Sequence, residues 1–164
     1  MPAPSPRPAS ASTGRDSARA GFTILELLIV MALMGTIAAI GLPMYAQAIQ
    51  KARTTRAIGD IKNISLTITT RQMTTGTYPA SLAEVNLDQT RDPWGRPYQY
   101  LRLVGLKGLG AARKDKNLVP LNSDFDLYSM GPDGQTATPL TAKASRDDVV
   151  RANNGGFIGV ASDY

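Results

Sequence analysis

The fold of this chain is decided by residues 21–30, which read GFTILELLIV. They open a long apolar segment in which no charged residue follows Glu26 until Lys51. The 24 residues between these two charges would extend roughly 36 Å as an α-helix, at about 1.5 Å per residue. The hydrocarbon core of a bilayer is about 30 Å thick. The segment therefore predicts a helix that spans a membrane.

Glu26 is unusual at this position because a carboxylate inside a membrane span is costly. On insertion scales a central carboxylate costs about 2.5–3.5 kcal/mol, and one near an end costs less. The span contains no Lys, Arg or His that could pair with it. If the chain were cut between Gly21 and Phe22, a new α-ammonium would lie four residues before Glu26. Such a cut would supply the missing cation.

Residues 21–26 resemble the processing site of type IV pilins and of type II secretion pseudopilins. In that family a prepilin peptidase cuts after the glycine and methylates the new amino terminus. The glutamate then pairs with the amino terminus of a neighbouring subunit during assembly. The resemblance implies processing between Gly21 and Phe22, and assembly through Phe22 and Glu26. Gly35 and Pro43 also fall where the family's first helix carries these residues.

An ordinary secretory signal or signal anchor is the alternative interpretation of this segment. Residues 46–48, Ala-Gln-Ala, supply a small-x-small cleavage site. However, the apolar run is longer than the roughly 7–15 residues of a signal-peptide core. A signal peptide also gives Glu26 no role. We therefore favour processing between Gly21 and Phe22.

Composition excludes several kinds of site. The chain has 164 residues and contains neither Cys nor His, which excludes disulfides, Cys nucleophiles, Cys/His zinc sites and His acid–base chemistry. Many type IV pilins close a C-terminal loop with a disulfide, so the lack of Cys favours the pseudopilin branch. Residues 1–21 hold three Arg and one Asp, and without them 15 basic and 12 acidic residues leave a net charge of +3. This mild excess does not indicate nucleic-acid binding.

The chain divides into three predicted segments. Residues 1–21 are a polar leader, rich in Pro, Ser and Ala, that is expected to be disordered and held on the cytoplasmic side. Residues 22–50 are the transmembrane and assembly helix, and residues 51–164 are a periplasmic, pilin-like globular domain. One helix is expected over residues 22–74, with Pro43 bending it rather than ending it.

The second half of this helix is predicted to pack on a sheet. Its apolar residues recur at spacings of four, three and four, which gives one buried stripe: Ala57, Ile61, Ile64 and Ile68. Gly and Pro in residues 74–79 end the helix. Short helical turns are expected over residues 80–87. Strands are expected over residues 98–104 and 125–130. The resemblance implies an α+β fold in which a long N-terminal helix packs on a small antiparallel sheet.

Two further stretches carry local signals. Residues 92–95, Asp-Pro-Trp-Gly, predict a tight turn and resemble a turn of the major pseudopilins, with Trp94 as a core or turn anchor. Residues 106–117 contain two Gly and four basic residues, and we expect a flexible, solvated loop. The basic residues are Lys107, Arg113, Lys114 and Lys116.

The acidic C-terminal stretch leaves two interpretations open. Spacing alone is compatible with calcium, which takes six to eight oxygen ligands, or with aspartates that cap turns. Residues 129–134, Ser-Met-Gly-Pro-Asp-Gly, are similar to a pseudopilin signature that precedes a calcium site. The resemblance implies these ligands: the backbone carbonyls of Met130 and Gln135, and the side chains of Asp133, Asp147 and Asp148. The interval 136–146 is longer than in the family, and Arg146 and Arg151 could instead pair with the aspartates.

The resemblance implies a structural subunit and not an enzyme. The subunit would be held in the bacterial inner membrane by one helix and would polymerise into the periplasmic pseudopilus of a type II secretion system. Implied partners are further copies of the chain, minor pseudopilins, the prepilin peptidase and the inner-membrane assembly platform. A type IV or competence pilus subunit, used in adhesion, motility or DNA uptake, is the alternative. A membrane-anchored enzyme using Asp124 and Asp126, or Asp147 and Asp148, as a carboxylate pair is a third hypothesis.

Overall fold

The computed structural model describes residues 21–164. The predicted leader therefore lies outside the described residues, apart from Gly21. The described part forms one long helix followed by a small sheet, which confirms the predicted α+β arrangement. Its main elements are helix α1 (Ile24–Thr75) and strands β1 (Gln99–Arg102), β2 (Phe125–Ser129), β3 (Val149–Ala152) and β4 (Phe157–Val160). Short 3-10 helices lie at Leu82–Val85, Lys143–Ser145, Asn153–Gly155 and Ala161–Asp163.

Helix α1 is 52 residues long and is capped at both ends. The Glu26 N–H donates to Thr23 Oγ1 (3.1 Å), so Thr23 caps the first turn. The helix continues through Pro43, as predicted. After the helix, Gly76 has φ +77° and donates its N–H to the Gln72 carbonyl (2.8 Å). A glycine in this left-handed conformation is the usual way to end a helix.

The chain divides into two units between Leu42 and Pro43. In the first unit every described residue, 21–42, is exposed. An 18-residue window of α1 reaches a mean hydropathy of 2.3 with none of its residues buried, so the helix is long and apolar enough to cross a membrane. By length and composition, the predicted membrane-spanning segment is therefore present.

The second unit, Pro43–Tyr164, contains the core. The buried residues of α1 are those of the predicted stripe: Ala57, Ile61, Ile64 and Ile68. They pack with Phe125 and Leu127 of β2 and with Val149 of β3. Burial of this stripe holds the second half of α1 against one face of the sheet.

The sheet has the strand order β1-β2-β3-β4, and every neighbouring pair is antiparallel. Tyr128 lies opposite Val150, and both point away from the face that α1 covers, because side chains alternate along a strand. On that second face Val150 and Ala152 pack with Leu121 and Leu140 from the long loops. The loops therefore act as the second cover of the sheet.

The first two strands were predicted, with β1 observed at the centre of residues 98–104 and β2 one residue shorter than 125–130. The turns predicted over residues 80–87 appear as the 3-10 helix Leu82–Val85. Strands β3 and β4 were not predicted. Each is four residues long, and neither shows a clear alternation of apolar and polar residues.

The packing of α1 on the sheet predicts a large stability difference between two sites on the same helix. Ile61 is fully buried and Leu66 is 66% exposed. Ile61→Ala should lower the free energy of unfolding by ~3 kcal/mol, because the cavity cannot fully collapse. Leu66→Ala should change it by less than about 0.5 kcal/mol. Urea unfolding of the full chain in detergent, followed by Trp94 fluorescence, measures both, and similar losses would contradict this packing.

Candidate functional site

The N-terminal end of α1 exposes the residues that the sequence assigned to processing and assembly. Phe22 is 85% exposed, and Gly21 and Glu26 are also exposed. Among the described residues, the ion pairs do not include Glu26. The next charge along the chain is Lys51, which lies about 38 Å further along a helix at 1.5 Å per residue. The Glu26 carboxylate is therefore left for a cation outside the described part of this chain, and its pairing with a neighbour's amino terminus stays a prediction.

The predicted turn at residues 92–95 joins α1, the sheet and a C-terminal loop. Asp92 is buried; its Oδ1 accepts from the Trp94 N–H (3.0 Å) and its Oδ2 accepts from the Ser129 hydroxyl (2.6 Å). The Trp94 indole donates to Gln50 Oε1 on α1 (3.2 Å) and packs against the core. Trp94 is therefore a turn anchor, as predicted.

A further arginine, which sequence reasoning did not single out, holds the Gly-Pro-Asp-Gly turn. Arg96 follows the Asp92 turn and donates to the carbonyls of Gly131 (2.6 Å) and Pro132 (3.3 Å). Within that turn the Asp133 carboxylate accepts from the N–H of Gln135 (2.8 Å). This is the turn-capping role that was the alternative to calcium binding.

The structure brings residues 130–135, which hold three of the predicted calcium donors, against Asp147, a fourth donor. Asp147 Oδ2 accepts from the Asp133 N–H (3.2 Å). Gly131 has φ +62°, and a Cβ atom at this position would lie 2.3 Å from the Asp147 carbonyl oxygen. The two stretches approach this closely only because residue 131 is glycine.

Asp148 takes no part in this contact and is paired with an arginine. Its side chain is fully buried, and its Oδ2 accepts from Arg113 Nη2 (2.6 Å) and from the Thr136 hydroxyl (2.6 Å). Its Oδ1 has no partner among the described residues. Burial raises the pKa of Asp148 to about 6, and the bonds from Thr136 and Arg113 oppose part of this rise.

Two expectations for the arginines were wrong. Arg113 does not lie in a solvated loop, because its side chain is 3% exposed. The backbone around it is fixed by bonds to other loops, including the Leu121 N–H to the Arg113 carbonyl (2.8 Å). Asp148 pairs with Arg113, and Arg151 pairs with Asp124 instead (2.6 Å). Arg146 takes part in none of the ion pairs of the described residues.

The three predicted calcium-binding carboxylates, Asp133, Asp147 and Asp148, do not form one metal-binding group in this arrangement. The Met130 carbonyl accepts from the Gly134 N–H (3.2 Å), and Asp148 is held by Arg113. Within residues 21–164, no group of three acidic side chains is placed to hold a metal ion. Calcium needs six to eight oxygen ligands around a common point. The three carboxylates as placed do not supply such a set, and calcium binding stays a prediction that a metal titration tests.

The first carboxylate pair of the enzyme hypothesis, Asp124 and Asp126, is also held by other contacts. Asp124 accepts two bonds from Arg151 (2.8 and 2.6 Å). Asp126 is buried and accepts from the Arg113 N–H (2.7 Å) and from Asn122 Nδ2 (2.9 Å). Burial raises the pKa of Asp126, and these two hydrogen bonds oppose the rise. Both carboxylates have partners that hold loops on the sheet.

Comparison with known proteins identifies relatives of the chain. Residues 16–42 match the family described as the prokaryotic N-terminal methylation motif. Type II secretion system core protein G of Pseudomonas aeruginosa is 28% identical over 138 residues, which cover 71% of this chain and 86% of that protein. Fimbrial protein Q of Moraxella bovis is 49% identical over 45 residues, 27% of this chain and 29% of its own length. A fimbrial protein of Neisseria meningitidis is 24% identical over 82% of this chain and 79% of its own length.

No solved structure matches the chain significantly. The chain carries the N-terminal methylation motif of type IV pilins, and it is homologous to type II secretion system core protein G, the major pseudopilin, and to fimbrial proteins. These relatives bear the names of secretion-system and pilus components and not of enzymes.

The contact at Gly131 predicts that a single methyl group destabilises the C-terminal loops. Gly131→Ala should lower the free energy of unfolding by ~3 kcal/mol, because the Cβ atom would meet the Asp147 backbone in a left-handed conformation. Gly76→Ala is the matched control: Gly76 has φ +77° with nothing within 4 Å of the added atom. It should cost only ~1 kcal/mol of backbone strain. Denaturant unfolding of the full chain in detergent compares them, and equal costs would contradict the close approach.

Proposed function

We propose that this chain, a homologue of type II secretion system core protein G, is the structural subunit of a periplasmic pseudopilus. The observation that carries this proposal is the first part of α1. This part, together with Phe22 just before it, exposes apolar side chains as far as Tyr45 and contains a single carboxylate, Glu26, that is unpaired among the described residues. The methylation motif over residues 16–42 and the alignment with core protein G over most of the chain support it.

The proposed life of the subunit has a membrane stage and a fibre stage. In the membrane, α1 would cross the inner membrane once, with Pro43–Tyr164 carrying the periplasmic domain. A prepilin peptidase would cut between Gly21 and Phe22 and methylate the new amino terminus. An inner-membrane assembly platform would then add subunits to a helical fibre capped by minor pseudopilins.

The helix contacts explain why such a fibre would hold together. In the bilayer the exposed apolar side chains contact lipid, and in the fibre they would contact the same side chains of other subunits. The Glu26 carboxylate would meet the Phe22 ammonium of a neighbour in an apolar setting, where an unpaired charge is costly. A subunit added out of register would leave both charges unpaired. The pair would therefore favour one axial register.

A pilus subunit is the second candidate, and the fimbrial relatives favour it. The 49% identity to fimbrial protein Q is confined to 45 residues, whereas the alignment with core protein G covers 138 residues. DNA uptake would require an exposed basic surface. Arg113 is buried and Lys114 is half-buried, so Lys107 and Lys116 are the exposed cations of residues 106–117. Two exposed cations are a small basic surface, which weakens the case for DNA uptake.

The assembly role predicts a specific effect of removing the Glu26 charge. Glu26→Ala and Glu26→Gln should both leave membrane insertion and leader removal intact. Each should reduce the yield of sheared fibres about tenfold or more, because breaking a buried pair by removing one partner costs about 3–5 kcal/mol. Asp88→Asn is the control, since Asp88 is an exposed carboxylate of the globular part. It should assemble normally.

Normal fibre yield from the Glu26→Gln variant would rule out charge pairing as the driving force. Whether the chain serves a secretion pseudopilus or a pilus is tested separately, by complementing a strain that lacks the gene. Loss of exoprotein secretion in the deletion strain, restored by the wild type, supports the pseudopilus. Restored surface pili or DNA uptake, with secretion unaffected throughout, supports the second candidate.

A further inference from the structure

The loops on the sheet face opposite α1 converge on one buried positive charge, the Arg113 guanidinium. Nη2 donates to the Asp148 carboxylate (2.6 Å). Nη1 donates to the Thr136 hydroxyl (2.5 Å) and to the Ala137 carbonyl (2.7 Å). One side chain thus binds three oxygens from two segments that are more than ten residues apart along the chain.

Strand β2 also contacts this guanidinium and fixes its position. Its carbon lies 4.3 Å from the centre of the Tyr128 ring on β2, within cation–π distance. The backbone N–H of Arg113 donates to the Asp126 carboxylate, which also lies on β2 (2.7 Å). The position of the charge is therefore set by β2, and the loops close onto it.

A calcium ion bound in a protein loop has the same structural effect. It draws carboxylate, carbonyl and hydroxyl oxygens from separate segments around a positive charge and neutralises the carboxylates. Arg113 supplies these two effects here: it binds the three classes of oxygen and pairs the buried Asp148 carboxylate.

We propose that the Arg113 guanidinium closes the C-terminal loops of this chain in place of a calcium ion, so that the domain folds fully without metal. In this geometry the two cations would compete for the charge of one carboxylate, Asp148. Asp148 is one of the five donors expected for calcium, and its Oδ2 already accepts two short bonds. Asp148 Oδ1 has no partner among the described residues, but Arg113 already neutralises the Asp148 charge, so a divalent ion there would meet the adjacent positive charge of Arg113.

The chain contains a matched control for the loss of a buried arginine. Arg151 is 4% exposed, pairs with Asp124 (2.6 Å) and lies over the Phe125 ring (4.0 Å). It therefore has the burial, the charge partner and the ring contact of Arg113. Phe125 belongs to the core on the α1 side of the sheet, so Arg151 does not take part in closing residues 136–148.

The test compares the full chain in detergent with 5 mM EDTA, with about 5 mM calcium, and in three variants: Arg113→Gln, Arg113→Lys and Arg151→Gln. Two readouts are used, the melting temperature and limited trypsin digestion followed by mass spectrometry. Trypsin can cut after Lys143 and Arg146, which are exposed and lie in the segment that Arg113 holds. Cleavage there reports opening of the loops specifically.

The wild type should melt within about 1 °C of the same temperature with EDTA and with calcium, and should resist cleavage after Lys143 and Arg146 in both. Arg113→Gln should lower the melting temperature by roughly 10 °C, because it leaves a buried carboxylate unpaired. It should speed cleavage at these two sites tenfold or more. Arg151→Gln should also melt earlier but should keep these two sites protected. Arg113→Lys should fall between the wild type and Arg113→Gln, since it keeps the charge but loses the planar fork.

A wild-type melting temperature that rises by several degrees with calcium, or falls with EDTA, would overturn the proposal, because a metal ion would then be stabilising the folded domain. An Arg113→Gln variant that melts and is cleaved like the wild type would also overturn it. If Arg113→Gln does not fold, the metal dependence of the wild type and the cleavage of Arg113→Lys still decide. None of these readouts requires a fibre, so they stand apart from the test of assembly.

Discussion

The main physical constraint on this chain is the exposure of large apolar side chains in the first part of α1. Every described residue up to Leu42 is exposed, and side chains such as Phe22 (85%) and Ile37 (72%) are nearly free. Exposed apolar patches beyond a few hundred Å² mark membrane or protein contact sites. At about 25 cal/mol per Å² of apolar surface, covering this segment is worth far more than the usual stability of a small domain. Under the proposed function, lipid covers these side chains in the membrane and the helices of neighbouring subunits cover them in the fibre.

The same helix then changes its environment without a break. Past Pro43 the stripe of Ala57, Ile61, Ile64 and Ile68 is buried against β2 and β3. These residues were found from the sequence because a helix repeats every 3.6 residues, and a stripe at spacings of four, three and four needs no tertiary information. The turn at residues 92–95 was also predictable, since Asp, Pro and Gly restrict the backbone locally.

Strands β3 and β4 could not be found in this way, because both are covered on two sides by different elements. Val149 faces α1 while Val150 faces the loop residues Leu121 and Leu140, so neighbouring positions are both apolar and the strand shows no alternation of apolar and polar residues. A four-residue run of this kind resembles many loops. Its pairing depends on contacts with residues far away in the sequence.

The role of Arg113 was hidden for the opposite reason. Its neighbours Lys114 and Lys116 are polar and lie near several glycines, which is typical of a solvated loop. Only the placement of this loop over β2 brings the guanidinium to Asp148, 35 residues further on. Asp148 was singled out from the sequence as a ligand for a cation, and the structure supplies that cation from the chain itself.

The central claim is that the chain is cut where a new amino group appears four residues before Glu26. Intact-mass and N-terminal mass spectrometry of the protein recovered from membranes of its native host test this most directly. The account predicts a mature chain that begins at Phe22 and carries one added methyl group on its α-nitrogen. A mature chain that begins at any other residue, including one cut after Ala48, would contradict it.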